Sequence, residues 1–119
     1  MNRFLIQAKY SSGAWARMLK VADDRTTAAR KLYESLGGSL EWMYWDVENC
    51  IAFVVAELPD SVSAAAVITA LSRTGSFTTV EVHELLTQEQ IHDALMLARS
   101  VRDVYSPPGS AAIDAGTVR

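Results

Sequence analysis

The sequence predicts an α+β fold, in which helices pack on one four-stranded antiparallel sheet. Two observations predict it. Segments with strand-like alternation are interleaved with segments whose apolar residues recur every three or four positions. The resulting order is β-α-β-β-α-β followed by a further helix, which is typical of the ferredoxin-like split βαβ fold. The chain has 119 residues, half of them hydrophobic, which is enough for one core.

The first strand and helix occupy the first third of the chain. In residues 3–10, alternate positions are apolar, and Ser11-Ser12-Gly13 ends the strand. A helical period then runs from Trp15 to Leu36, and Asp23 or Asp24 is suited to cap a second segment within it. Gly37-Gly38 ends the helical pattern, since glycine readily adopts the left-handed conformation found at helix ends.

The middle of the chain predicts a hairpin and a second helix. Residues 39–47 are aromatic and β-prone, and residues 51–58 are almost continuously apolar, as in a central strand. Asp60 is a good N-cap for an alanine-rich helix from Ser61 to about Arg73.

The last third predicts a strand, a helix and a tail. Residues 76–86 alternate as a fourth strand, and Thr87-Gln88-Glu89-Gln90 fits a capping box that opens the last helix. We therefore expect one domain over residues 1–105 and an irregular tail over 106–119.

The predicted third strand is apolar on both sides, although the helices can cover only one face of the sheet. Ala52, Val54 and Ala56 suit a close helix approach, which leaves Ile51, Phe53 and Val55 on the open side. By strand alternation, Leu5 and Phe77 join them. Such a patch would expose at least several hundred Å² of apolar surface, which is more than monomers usually expose. We therefore expect a second copy of the chain to cover it, in a homodimer or a larger homo-oligomer. The alternative cover is the last helix or the tail.

The charge and composition of the chain exclude some classes of partner and indicate where the protein is located. The net charge is −3 and the pI is near 5.3, which argue against a nucleic-acid or anionic-membrane binder. RNA-recognition domains share the β-α-β-β-α-β order, but the third strand here has none of the basic residues they need. A single cysteine and the lack of a signal-peptide pattern or long apolar run predict a cytoplasmic protein with no membrane partner.

Six polar or aromatic residues are candidates for a ligand pocket on the open side: Gln7, Lys9, Tyr44, Glu57, Glu81 and His83. In such a pocket His83 would act as a base and Lys9 would polarise an oxygen atom. The alternative is that the charged residues form ion pairs between subunits. The aromatic residues Trp42, Tyr44 and Trp45 either stack a planar ligand or anchor the core and an interface.

No metal site and no cofactor are expected. His83-Glu84 begins like a zinc-protease motif, but it lies in a strand and position 87 is Thr. Glu89-x-x-His92 resembles half of a di-iron site, which needs a second such motif in a helical bundle. Cys50 is expected to be inert, since Glu48 would raise its pKa.

Several short motifs resemble the GYD-domain family of small bacterial proteins, over roughly residues 3–98. They are Lys9-Tyr10, Ala28-Ala29-Arg30-Lys31-Leu32, Leu36-Gly37-Gly38, Tyr44-Trp45, the run Val54–Asp60, and Glu84-Leu85-Leu86-Thr87. The resemblance implies a dimeric α/β-barrel with a ferredoxin-like fold, and no established activity. The chain departs from the pattern at the Gly-x-Tyr-Asp hairpin, where it has Glu48-Asn49-Cys50-Ile51.

Two function classes follow from these observations. The first is a non-enzymatic oligomeric module that binds at most a small apolar or planar ligand at the sheet face. The second is a cofactor-independent monooxygenase or isomerase for an aromatic or lactone-like molecule, with His83, Glu81, Tyr44 and Lys9 as acid, base and positioning groups. The second class rests on an analogy of fold, which does not determine function.

Overall fold

The computed structural model describes residues 1–109. The described residues form two compact units, which divide between Leu85 and Leu86. The first unit contains β1 (Asn2–Tyr10), α1 (Ser12–Val21), α2 (Arg25–Ser35), β2 (Ser39–Asp46), β3 (Ile51–Leu58), α3 (Ser61–Ser72) and β4 (Phe77–Leu85), and the second contains α4 (Gln88–Ser100). The predicted boundary at residue 105 stays a prediction, and residues 110–119 of the predicted tail lie outside the described residues.

The four strands form one antiparallel sheet in the order β2-β3-β1-β4. The central strand β1 therefore lies between two strands that are distant from it in sequence, whereas β3 pairs with β2 across a hairpin, as in the split βαβ arrangement. The ferredoxin-like α+β fold predicted from the sequence is confirmed.

The helical pattern between β1 and β2 is broken into two helices at the predicted place. Ala22 adopts a left-handed conformation at φ 52°, ψ 44°, and its N–H donates to the Met18 carbonyl. Asp24 then caps α2, because its carboxylate accepts the backbone N–H of Thr27 at 3.0 Å. The Thr27 hydroxyl also donates to this carboxylate at 2.7 Å, and together with the Thr27 N–H it lowers the pKa of the Asp24 carboxyl.

The core lies between the sheet and helices α1, α2 and α3. Its main cluster joins strand residues such as Ile6 and Leu58 to Tyr33 of α2 and Val67 of α3, all nearly or fully buried. Burial of each such aliphatic side chain contributes about 1.5–3 kcal/mol to stability. A second cluster holds Tyr10, Ala14 of α1 and Ala52. All three helices therefore cover the same face of the sheet.

Phe77 lies on the helix face, so its predicted position on the open face was wrong. The pairing of β1 with β4 shifts register between Lys9 and Tyr10, which brings Phe77 opposite Tyr10. The two rings are 5.0 Å apart between centroids, and both belong to the second core cluster. A bulge adds one residue and so reverses the alternation on which the prediction depended.

Helix α4 begins with the predicted capping box. The Thr87 hydroxyl accepts the Gln90 backbone N–H at 3.1 Å, and the Gln90 side-chain oxygen accepts the Thr87 N–H at 2.9 Å. None of the residues of α4 is buried. No helix within residues 1–109 is both long and apolar enough to cross a membrane.

Candidate functional site

The sheet face opposite α1, α2 and α3 is the candidate site, and we call it the open face. Alternate residues of the four strands point to it, while their neighbours enter the core. From strand to strand it presents Trp42 and Tyr44 of β2; Ile51, Phe53, Val55 and Glu57 of β3; Arg3, Leu5, Gln7 and Lys9 of β1; and Thr79, Glu81, His83 and Leu85 of β4.

The centre of the open face is apolar and aromatic. Trp42 lies opposite Val55, which pairs in turn with Leu5, and the next row contains Tyr44 and Phe53. Trp42 is 40% exposed and Tyr44 is 67% exposed, whereas Val55 between the strands is buried. The Trp42 and Tyr44 rings touch, with centroids 5.4 Å apart and planes tilted by 55°.

A bulge in β2 places these two rings on the open face. The register with β3 shifts between Leu40 and Trp42, so Leu40 packs against the core although it is two residues from Trp42. After the bulge, Trp45 points to the helix side, where its indole N–H donates to the Tyr10 hydroxyl at 3.4 Å. The aromatic strand is thereby divided into a core anchor, Trp45, and two rings on the outer surface.

A polar group lies at the β4 side of the open face. The register places Gln7 opposite Glu81 and Leu5 opposite His83. His83 Nε2 is 3.2 Å from Glu81 Oε1, and the two side chains are 50% and 58% exposed. An ion pair this exposed contributes little to stability, because water screens it.

All six candidate residues lie on the open face, but they do not form a single cluster in one chain. Gln7, Glu81 and His83 are neighbours. Tyr44 lies in the same row across the strands as Gln7, with Phe53 between them. Glu57 lies opposite Arg3 in the register of β1 with β3, and Arg3 is six residues from Lys9 along β1. At the rise of a strand, six residues separate Arg3 from Lys9 by about 20 Å. Lys9 and Glu57 therefore mark opposite ends of the face.

The hairpin between β2 and β3 is shaped by Asp46, which accepts the backbone and side-chain N–H groups of Asn49 at 3.2 and 2.8 Å. These bonds lower the pKa of the Asp46 carboxyl. Cys50 follows at φ 57°, with its sulfur 3.9 Å from the Val47 carbonyl oxygen. A wide surface cavity of about 720 Å³ adjoins this turn and includes Lys9, Trp15 and Cys50 in its lining.

A model of the GYD domain matches residues 4–95 of the chain. The chain belongs to the GYD domain family. No curated protein and no solved structure matches it. The match begins at the third residue of β1, includes the rest of the sheet with α1, α2 and α3, and ends within α4, so every candidate residue lies inside the GYD domain.

Sequence reasoning missed a cavity between the sheet and the helices of this GYD domain. Tyr33 lines it, and in the sequence Tyr33 is one of the positions within the helical period from Trp15 to Leu36. The available signal was the hydroxyl of a tyrosine on a core-facing stripe, which needs a hydrogen-bond partner when buried. Among the described residues, no group of three or more His, Cys, Asp and Glu side chains is placed to hold a metal ion.

Proposed function

We propose that this GYD domain is a non-enzymatic module that assembles with a second copy of itself through the open face, sheet against sheet. One observation carries the proposal: the two exposed rings, Trp42 and Tyr44, cap an apolar centre that α1, α2 and α3 leave uncovered. Burial of large aromatic side chains supplies much of the energy of protein interfaces.

The size of the open face suits an interface between two copies. Four strands about 4.8 Å apart and about eight residues long give a flat area of about 500 Å². Side-chain relief increases that area towards the 600 Å² per partner of the smaller specific interfaces. Two sheets packed in this way would form a closed two-layer core about 10 Å thick.

The charges at the two ends of the open face are complementary. Lys9 lies at one end. At the other end Glu57 lies opposite Arg3, and Arg3 is paired with Glu41 at 2.6 Å, so the two carboxylates leave that end with a net negative charge. A two-fold axis that runs across the strands brings Lys9 of each copy towards Glu57 of the other, because such an axis reverses the strand direction. The same symmetry makes the contact isologous, so the assembly closes as a dimer.

Native mass spectrometry of the freshly purified protein tests the assembly. We expect a dimer, and we expect the double variant Trp42→Ser/Tyr44→Ser to be monomeric with an unchanged circular-dichroism spectrum. Leu19 and Val62 are 86% and 76% exposed on helices of the other layer, so Leu19→Ser/Val62→Ser is the matched control and should remain dimeric. A monomeric wild type would contradict the proposal and favour the last helix as the cover.

The same spectrum tests for a small planar ligand at the open face. A dimer without added mass supports the simple module. A stoichiometric added mass that the Trp42→Ser/Tyr44→Ser variant loses supports a ligand held between the sheets.

The pair of His83 and Glu81 favours a second candidate function, a cofactor-independent enzyme. A histidine 3.2 Å from a carboxylate, with Gln7 alongside, has the arrangement of a general base and its orienting group. Oxygen uptake with a dihydroxynaphthalene as the probe tests it. Protein-dependent uptake that His83→Gln abolishes would support the enzyme, and uptake at the uncatalysed rate would favour the module.

A further inference from the structure

The helix side of the sheet contains a cavity of about 180 Å³, separate from the open face. Its existence follows from the small side chains that meet there. Ala8 and Ala52 of the sheet and Ala28 and Ala29 of α2 all line it. Alanines on both layers leave a space that the surrounding larger residues, Ile6, Leu32, Met43, Val54 and Leu71, enclose without filling.

The volume is that of a binding site for one aromatic ring. An engineered apolar cavity of about 150 Å³ stays dry and binds benzene. This cavity is slightly larger, at about 180 Å³, and its lining is also predominantly apolar.

Tyr33 provides a polar group in this apolar lining. The side chain is 2% exposed, and among the described residues 1–109 its hydroxyl makes no hydrogen bond. In that range, every side-chain oxygen or nitrogen atom that is completely buried has a hydrogen-bond partner. Because the Tyr33 hydroxyl has none, its oxygen atom keeps some accessible surface. A buried tyrosine hydroxyl normally has a partner, and here a bound molecule can supply it.

A wider cavity adjoins this one. It has a volume of about 310 Å³, and the two share the lining residues Tyr10, Arg25, Leu71 and Phe77. It extends to the α1–α2 turn, where Arg25 forms an ion pair with Asp23 at 2.7 Å. Both side chains of that pair are partly exposed, so the pair can open at low cost.

We propose that the cavity lined by Tyr33 binds a small uncharged aromatic molecule that carries one hydrogen-bonding substituent, a phenol being the simplest case. The ring occupies the alanine-lined space, and the substituent pairs with the Tyr33 hydroxyl. The ligand enters by the Arg25–Asp23 rim. The inference does not depend on the assembly at the open face.

Methyl-resolved NMR with p-cresol and p-xylene as probes tests this site. We expect saturable shifts of the Ile6, Met43 and Leu71 methyl signals with p-cresol, and about fivefold weaker binding of p-xylene, which lacks the hydroxyl. In the Tyr33→Phe variant the two probes should bind equally. Ala29→Leu should abolish binding of both by filling the cavity, whereas the control Ala65→Leu, at an exposed site of α3, should bind like the wild type.

Three results would overturn the proposal: no saturable shift up to the solubility of p-cresol, an unchanged preference in Tyr33→Phe, or methyl shifts confined to open-face residues such as Leu5, Ile51 and Val55. The last result would assign the ligand to the open face. Native mass spectrometry of the same samples separates the two proposals, because a monomer with the methyl shifts refutes only the assembly. A dimer without those shifts refutes only the cavity site.

Discussion

The substitution Gly38→Ala is expected to destabilise the first compact unit strongly, because the backbone of β3 lies against the position where a Cβ would be. That Cβ would overlap the carbonyl oxygen of Glu57 and would lie 3.1 Å from Leu58 Cδ2. The Gly38 N–H also donates to the Tyr33 carbonyl at 2.9 Å, which holds the chain in place as it enters β2.

The size of this destabilisation depends on which atoms must move to make room for the added methyl group. The obstacle is a backbone carbonyl in a strand paired with β2, at Ser39 and Glu57, so a change of rotamer cannot relieve the overlap. Insertion of a methyl group into a packed site costs about 1–3 kcal/mol, and we expect the upper end, about 3 kcal/mol. For a unit of this size, that corresponds to a fall in Tm of about 12–24 °C.

Gly75→Ala is the matched control, because it separates backbone strain from overlap. Gly75 has φ 72°, and no atom lies within 4 Å of its added Cβ. Left-handed strain costs about 1–2 kcal/mol, which the reduced entropy of the unfolded chain offsets in part. Urea unfolding followed by circular dichroism measures both variants. A loss for Gly38→Ala no greater than that for Gly75→Ala would refute this account of the Leu36-Gly37-Gly38 motif.

Three further predictions concern titration and capping. The backbone N–H of Ser63 lowers the pKa of Asp60. The ionised Asp60 carboxylate therefore stabilises the fold above its unfolded pKa near 4, and this stabilisation is lost as the pH falls through the folded pKa. The variant Asp60→Asn, whose side chain can still cap α3, should flatten the dependence of Tm on pH between 2 and 5. Burial raises the pKa of Tyr33, so the protein should lose stability as the pH rises above the unfolded tyrosine pKa near 10. Absorbance at 295 nm should show that Tyr33 ionises only when the protein unfolds, and the Tyr33→Phe variant should lack this signal. Thr87→Ala should weaken the start of α4 by about 1 kcal/mol, seen as faster amide hydrogen exchange at Gln90, whereas Thr87→Ser should keep the wild-type rate.

The local signals of the sequence predicted most elements of the GYD domain. Asp60 and Thr87 each cap the helix predicted to follow them, and Asp24 is the one of the two predicted candidates, Asp23 and Asp24, that caps α2. Capping depends on residues three positions apart, so it can be read without knowledge of the fold. The two-sided apolar pattern of β3 similarly identified a central strand, and its alternation assigned Ala52 and Phe53 to opposite faces.

The sequence by itself thus determined the order of the elements, the break between α1 and α2, and the open face with its candidate residues. The tertiary structure decided which way the side chains near a bulge point. Strand alternation could not foresee the shifts at Leu40 and Lys9, because a bulge depends on pairing between strands distant in sequence. It also decided that four alanines from β1, α2 and β3 line one cavity together with Tyr33, since a cavity arises only where packed layers fail to fill the space between them.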